Sequence, residues 1–243
     1  MTKWAGTELS AEKQKERKRK LIIREAATIF NRRGSQGATL EEVATQLNIS
    51  KAALYRYVDN KNDLLLACHQ EAVRLAMKAA DSAERSGGSG WTKIRLTLQR
   101  HLEDMIESLG VPTMLLEENS LDAKSMDMVL RMRDAYEGRL RQFYRQGVAD
   151  GSILPGDAKL AVFALLGALN WTAKWYRADG PWKPDEIAEA IVEIVTRGIA
   201  RHPQEAFLGR LHTISSNDGS IARAKASRSA PRGAKGTGRR STP

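Results

Sequence analysis

The chain has 243 residues with 42% hydrophobic and 28% charged side chains, enough for two helical domains or one large one, and this excludes global disorder. The net charge of +10 sits at the two ends: residues 1–20 carry seven basic and three acidic side chains, and residues 215–243 carry seven and one, leaving residues 21–214 formally neutral. A uniformly basic globule is thereby excluded, and basic arms on a neutral body point to a polyanionic partner, nucleic acid before anionic membrane.

Strand signals are nearly absent and helical periodicity prevails, so the expected fold class is all-α with about nine helices. A first helix runs from about Arg17 to Arg33, with Ile22, Ala26, Ile29 and Phe30 on one face and Gly34 and Gly37 at its end. Thr39 with Glu42 forms a capping box for a short helix whose stripe is Leu40, Val43, Ala44 and Leu47. Asn48-Ile49-Ser50 is a turn, and Ser50 caps a third helix expected from Lys51 to about Val58. Asn60 starts a fourth, to about Glu84, with Leu64, Leu65, Cys68, Ala72 and Leu75 inward. Ser86-Gly87-Gly88-Ser89-Gly90 reads as a flexible connection between two units.

Beyond it, Ile94 to Leu109 marks a helix, Pro112 opens a short one to about Leu121, and Val129 to Val148 lies in a long one. Pro155-Gly156-Asp157 starts a helix that is apolar nearly all round from Leu160 to Leu169 and so needs burial on most sides. A last helix follows Pro184, with Ile187, Ile191, Ile194, Val195 and Ile199 on one side. Residues 215–243 are read as a basic disordered tail.

The segment TLEEVATQLNISKAALYRYV, residues 39–58, has the layout of a helix-turn-helix, whose second helix enters the major groove. Thr39, Ser50, Lys51, Ala53, Tyr55, Tyr57 and Lys61 are the candidate DNA-binding residues. Lys51 and Tyr55 are placed for base edges or phosphates, as are the main-chain amides near Ser50, and Tyr57 for a phosphate or a thymine methyl. Lys61 at the start of the next helix is placed to hold a phosphate together with that helix's N-terminus. The arm of residues 1–16 leads into the first helix, where it is positioned to lie along a phosphate backbone or in a minor groove.

The stretch from about Arg17 to Met77 resembles the DNA-binding domain of TetR-type bacterial transcriptional regulators through AATIFNRRG, TLEEVATQLNIS, KAALYRYVDNK and the following DLL. One departure is Ser35-Gln36, where many relatives have an aromatic residue after the glycine. The resemblance implies a DNA-binding domain over residues 17–77 and a larger ligand-binding and dimerisation domain over 78–204. It also implies a homodimer paired through the helices at about Asp157–Tyr176 and Pro184–Ala200, a palindromic operator, and a small-molecule effector that releases it. Such a regulator works in the bacterial cytoplasm, held at the nucleoid through DNA.

Residues 168–188, ALNWTAKWYRADGPWKPDEIA, are similar to the same segment in regulators of this type that respond to acyl-CoA thioesters of fatty-acid, aromatic or steroid breakdown. Trp171 and Trp175 offer a wall for an acyl chain or adenine, and Lys174 and Arg177 are candidates for the CoA phosphates. Arg131, Arg133 and His101 complete the candidate ligand residues. Plainer readings stand beside these: the two tryptophans plug a dimer core, Arg177 caps its helix, and His69 is a surface neighbour of a buried Cys68 thiol.

Glu103-Asp104 and Glu117-Glu118 read as solvated faces rather than acid/base pairs, and no catalytic constellation, metal set or cofactor motif is present. One cysteine excludes a disulfide framework, the longest apolar run is too short to cross a membrane, and the charged N-terminus is unlike a signal peptide. The alternatives to a regulator are a non-specific DNA-coating protein that uses its basic arms and an enzyme acting on CoA thioesters.

Overall fold

The computed structural model of the chain describes residues 3–109, 121–177 and 179–202. These form eight α-helices, and the only strand-like pairing among them is a bridge between Ile153 and Ala200. The short helix expected from Pro112 and the tail at 215–243 lie outside the described residues.

Helix α1 spans Lys3–Gly37, longer than the expected Arg17 start, with a break at Gly34, whose φ of 73° and ψ of 164° only glycine adopts readily. α2 (Leu40–Gln46) opens on the full capping box: the Thr39 hydroxyl accepts from the Glu42 amide at 3.2 Å, and Glu42 accepts from the Thr39 amide at 3.1 Å. Asn48 takes a left-handed φ of 52° and Ile49 N–H reaches back to the Ala44 carbonyl, which turns the chain into α3. α3 (Lys51–Leu54) is one turn long rather than reaching Val58. From Arg56 the bonds tighten to i→i+3, with Tyr57 N–H on the Leu54 carbonyl at 2.9 Å, and Leu54 and Val58 are both buried.

α4 (Lys61–Ser86) starts on Asn60, whose side chain accepts from the Asp63 amide. It runs antiparallel to α1: Lys61 Nζ donates to the Gln36 carbonyl at 3.1 Å and Cys68 Sγ lies 3.5 Å from the Ile23 carbonyl. Arg74, held first by Glu71, also feels the charge of Glu16. This direction carries the exposed basic turns of α1 alongside the middle of α4.

The glycine-rich segment is not a flexible connection. α4 continues without interruption through residue 86, and α5 (Gly90–Leu109) folds straight back against it after three residues. The turn is fastened by Ser89 to Thr92, by Gly90 N–H to Asp150 Oδ2 at 2.7 Å, and by Trp91 N–H to Ser152 Oγ at 3.2 Å. Gly90 sits directly on the backbone of Phe143 and Gly147, where no Cβ fits.

α6 (Ala123–Ala149), α7 (Ala158–Trp175) and α8 (Pro184–Arg197) complete the fold. Two apolar cores result. One joins Ile22 to Phe30 of α1, α2, Leu54, Val58 and the first half of α4; the other joins the second half of α4 to α5, α6, α7 and α8. α6 belongs to both, with Val129, and Leu121 just before the helix, in the first core and Tyr136 to Tyr144 in the second. A polar clasp marks that contact. Asn62 donates to Asp122 Oδ2 at 2.8 Å and to Ser125 Oγ at 3.1 Å, and its own carbonyl accepts from the Asp122 amide at 2.9 Å. The first turns of α4 and α6 are therefore held together two residues beyond the cap that ends the helix-turn-helix.

Candidate functional site

The helix-turn-helix presents an exposed ridge on a buried base. Leu40, Val43, Ala44, Leu54 and Val58 are buried, which fixes α2 and α3 against α1 and α4. Thr39 and Ser50 are exposed caps, the Ser50 hydroxyl accepting from the Ala53 amide at 3.1 Å. Lys51 and Tyr55 are exposed, with the ammonium 5.8 Å from the Tyr55 ring centroid. Ala53 and Tyr57 are half-buried, and Tyr57 packs on the core. Lys51 is ion-paired with Glu41 of α2, which raises the basicity of the lysine and lowers the carboxyl pKa of Glu41. That pair is in open solvent, so an incoming phosphate competes for the ammonium at little cost.

Lys61 is half-buried and spends one donor on Gln36, which sets its ammonium between the end of α1 and the start of α4. Arg56, absent from the candidates drawn from the sequence, is exposed within the same turn. The signal that finds it is plain helical spacing, since residue 56 falls opposite the buried Leu54 and Val58.

The ligand candidates do not converge on one place. His101 is buried, shares a 2.8 Å hydrogen bond with the Tyr136 hydroxyl and meets its ring edge-on at 5.2 Å. Arg133 is half-buried and its charge is disfavoured by desolvation. Arg131 is exposed and paired with Asp127 at 2.5 Å. Trp171, Lys174, Trp175 and Arg177 are exposed in the single chain, and Arg177 pairs with Asp179 at 3.2 Å instead of capping its helix. An open groove of about 410 Å³ lies between α6 and the start of α7, lined by Tyr144, Arg145 and Lys159 among others, and holds none of these candidates.

Two surface readings are corrected. His69 is buried at 2% exposure on the inward side of α4, not a surface neighbour of Cys68. Asp104 is likewise buried and paired with Arg100 at 2.7 Å, not part of a solvated face. Burial lowers the pKa of both His69 and His101 to about 4, with the Arg133 charge adding to the effect at His69. In the unfolded chain both take a proton near ~6.5. Stability is therefore complete above that pH and is lost as pH falls from there towards 4, by on the order of 2 kcal/mol per histidine at pH 5. Urea midpoints measured at pH 7.5 and 5.0 test this, and equal midpoints contradict it.

Two family descriptions match the chain: "Bacterial regulatory proteins, tetR family" over residues 22–68 and "Tetracyclin repressor-like, C-terminal domain" over residues 87–199. The solved structure of PfmR, a TetR family transcriptional regulator from Thermus thermophilus, is 31% identical with a TM-score of 0.64, covering 74% of this chain and 99% of that one. The chain belongs to the TetR family of transcriptional regulators. The HTH-type transcriptional repressor KstR2 of Rhodococcus jostii (strain RHA1) is 26% identical over 185 residues, which are 72% of this chain and 87% of that protein. AibR, solved in complex with isovaleryl coenzyme A and operator DNA, shares the fold at 24% identity and a TM-score of 0.62, covering 72% of this chain and 96% of that one. Among the described residues no helix is long and apolar enough to cross a membrane.

Proposed function

We propose that this TetR-family regulator is a homodimeric repressor that leaves a palindromic operator when it binds a small molecule, an acyl-CoA thioester. The carrying observation is the capped helix-turn-helix with Lys51 and Tyr55 exposed on a buried base. Tyr55→Ala is expected to weaken binding to a selected operator about 10-fold or more, in the range set by one lost base-proximal contact, and random DNA by about 2-fold. Fluorescence anisotropy on both duplexes measures this, and equal losses on the two contradict base-proximal readout. Such equal losses would favour the non-specific DNA-coating alternative.

The dimer reading is supported by α7. Its buried face carries Val162, Leu165, Leu169 and Thr172, while Leu160, Phe163, Gly167, Trp171 and Lys174 line the opposite, exposed face at helical spacing. Ile194 of α8 and Trp182 before it are exposed as well. A two-fold partner covers such a face with the same face of its copy. In that arrangement Trp171 and Trp175 belong first to the dimer contact.

The acyl-CoA reading draws on the 168–188 segment and on the isovaleryl coenzyme A bound by AibR. The cytoplasm, at the nucleoid, is the compartment this function requires.

A further inference from the structure

Two helices, α4 and α6, pass from the core of the helix-turn-helix head into the core of the body, and they run side by side in the same direction. Asn62 meets Asp122 at one end, Gln70 Nε2 lies 3.1 Å from Met128 Sδ, and Asp81 and Glu84 meet Arg139 at 3.6 and 3.4 Å further on. The start of α6 is also built into the head. Leu121 and Val129 are buried in its core, Met126 packs against it, and Ser125, four residues from each, is buried beside Asn62.

Apolar packing is non-directional, so by itself it lets one helix slide or turn on the other. The clasp supplies direction. Asn62 uses both ends of its amide, donating to the Asp122 carboxylate and the Ser125 hydroxyl and accepting from the Asp122 amide. The Ser125 amide donates to the second Asp122 oxygen at 2.8 Å, and that bond holds the carboxyl below its usual pKa, so the clasp contains a charged acceptor. Such bonds survive only over a narrow range of distance and angle. Asn62 directly follows the candidate phosphate ligand Lys61, so the clasp grips the head beside its DNA-facing surface.

We propose that Asn62 and Asp122 are positioning residues for operator recognition: their clasp locks the head to α6 and so sets the half-site spacing that the dimer accepts. The proposal rests on the reading of a dimer on a palindrome and narrows it to named residues. Each base pair inserted between two half-sites moves them ~3.4 Å apart and turns them by ~34°. A head fastened to two helices at one angle fits one spacing, whereas a head that pivots on α4 alone fits several.

Anisotropy titrations of the full chain test this on three kinds of duplex: the palindrome enriched from a random library, the same palindrome with one base pair inserted or removed at its centre, and a single half-site. The unaltered chain should lose about 10-fold or more in affinity when the spacing changes. Asn62→Ala should bind the palindrome about 10-fold more weakly, lose less than about 3-fold on changed spacing, and bind the half-site as before. Asp122→Asn keeps an N-cap for α6 but sets two amide donors face to face, and should behave in the same way. The exchange of Asn62→Asp with Asp122→Asn restores donor against acceptor and should restore the spacing preference. Single variants that keep the preference, or an exchange that does not restore it, overturn the proposal and leave the palindromic dimer standing. Equal losses on palindrome and half-site also overturn it, because the clasp would then only support the fold of the head. If no palindrome is enriched, the dimer reading and the proposal fall together.

Discussion

Replacing Leu160 and Ile194 together by glutamate is expected to convert the protein to monomers and to weaken operator binding on the order of 100-fold. Both side chains are apolar and 68% exposed on α7 and α8, so neither supports the fold of its own chain. The pair should therefore leave the helical signal and the melting cooperativity of the single chain intact. Two linked heads bind a palindrome with the second contact made intramolecular, and that advantage is worth ~10²–10⁴ in affinity. It disappears when the heads separate. Analytical ultracentrifugation with anisotropy on the operator measures both effects. A double variant that sediments as a dimer, or a monomer that keeps full operator affinity, contradicts pairing through this face.

Gly90→Val is expected to destabilise the body by ~3 kcal/mol or more, the scale of severe overpacking in a closed core. A Cβ at residue 90 would fall onto the Gly147 amide and the Phe143 carbonyl, which are backbone atoms of a central helix and cannot rotate aside. The same crossing is closed from the other side, since a Cβ at Gly147 would meet Ile153. Gly138→Ala is the control. It lies in α6 with nothing within 4 Å of its added Cβ, so it should stabilise by ~0.5–1 kcal/mol through helix propensity. Chemical denaturation of both variants decides the matter, and a Gly90→Val protein with an unchanged midpoint contradicts the close approach of α5 and α6.

What the residues disclose in advance is local. The capping box at Thr39 and Glu42, the Asn60 cap and the stripes on α2 and α4 depend on neighbours within a turn or two, and all appear as expected. The break at residues 86–90 misleads because glycine and serine signal a turn without saying how tightly it is held; Asp150, Ser152 and Gly147, which hold it, are sixty residues away. His69 and Asp104 look like surface residues for the same reason. Their burial is set by α6 and by the packing of α5 on α4, which no local pattern encodes. The direction of the basic arm is legible only once α1 is seen to run antiparallel to α4. The site residues divide likewise: the recognition turn is local in sequence, whereas the ligand candidates His101, Arg133 and Trp171 stand on three separate helices.

The most direct measurement of the central claim begins with a duplex enriched from a random DNA library by the full chain, followed by anisotropy titration with and without saturating acyl-CoA. The expected result is a palindromic site bound by a dimer at least ~10³-fold more tightly than random DNA, with that preference falling when the acyl-CoA is added. Recovery of no palindrome, with equal affinity for every duplex, would show that the chain coats DNA rather than reading an operator.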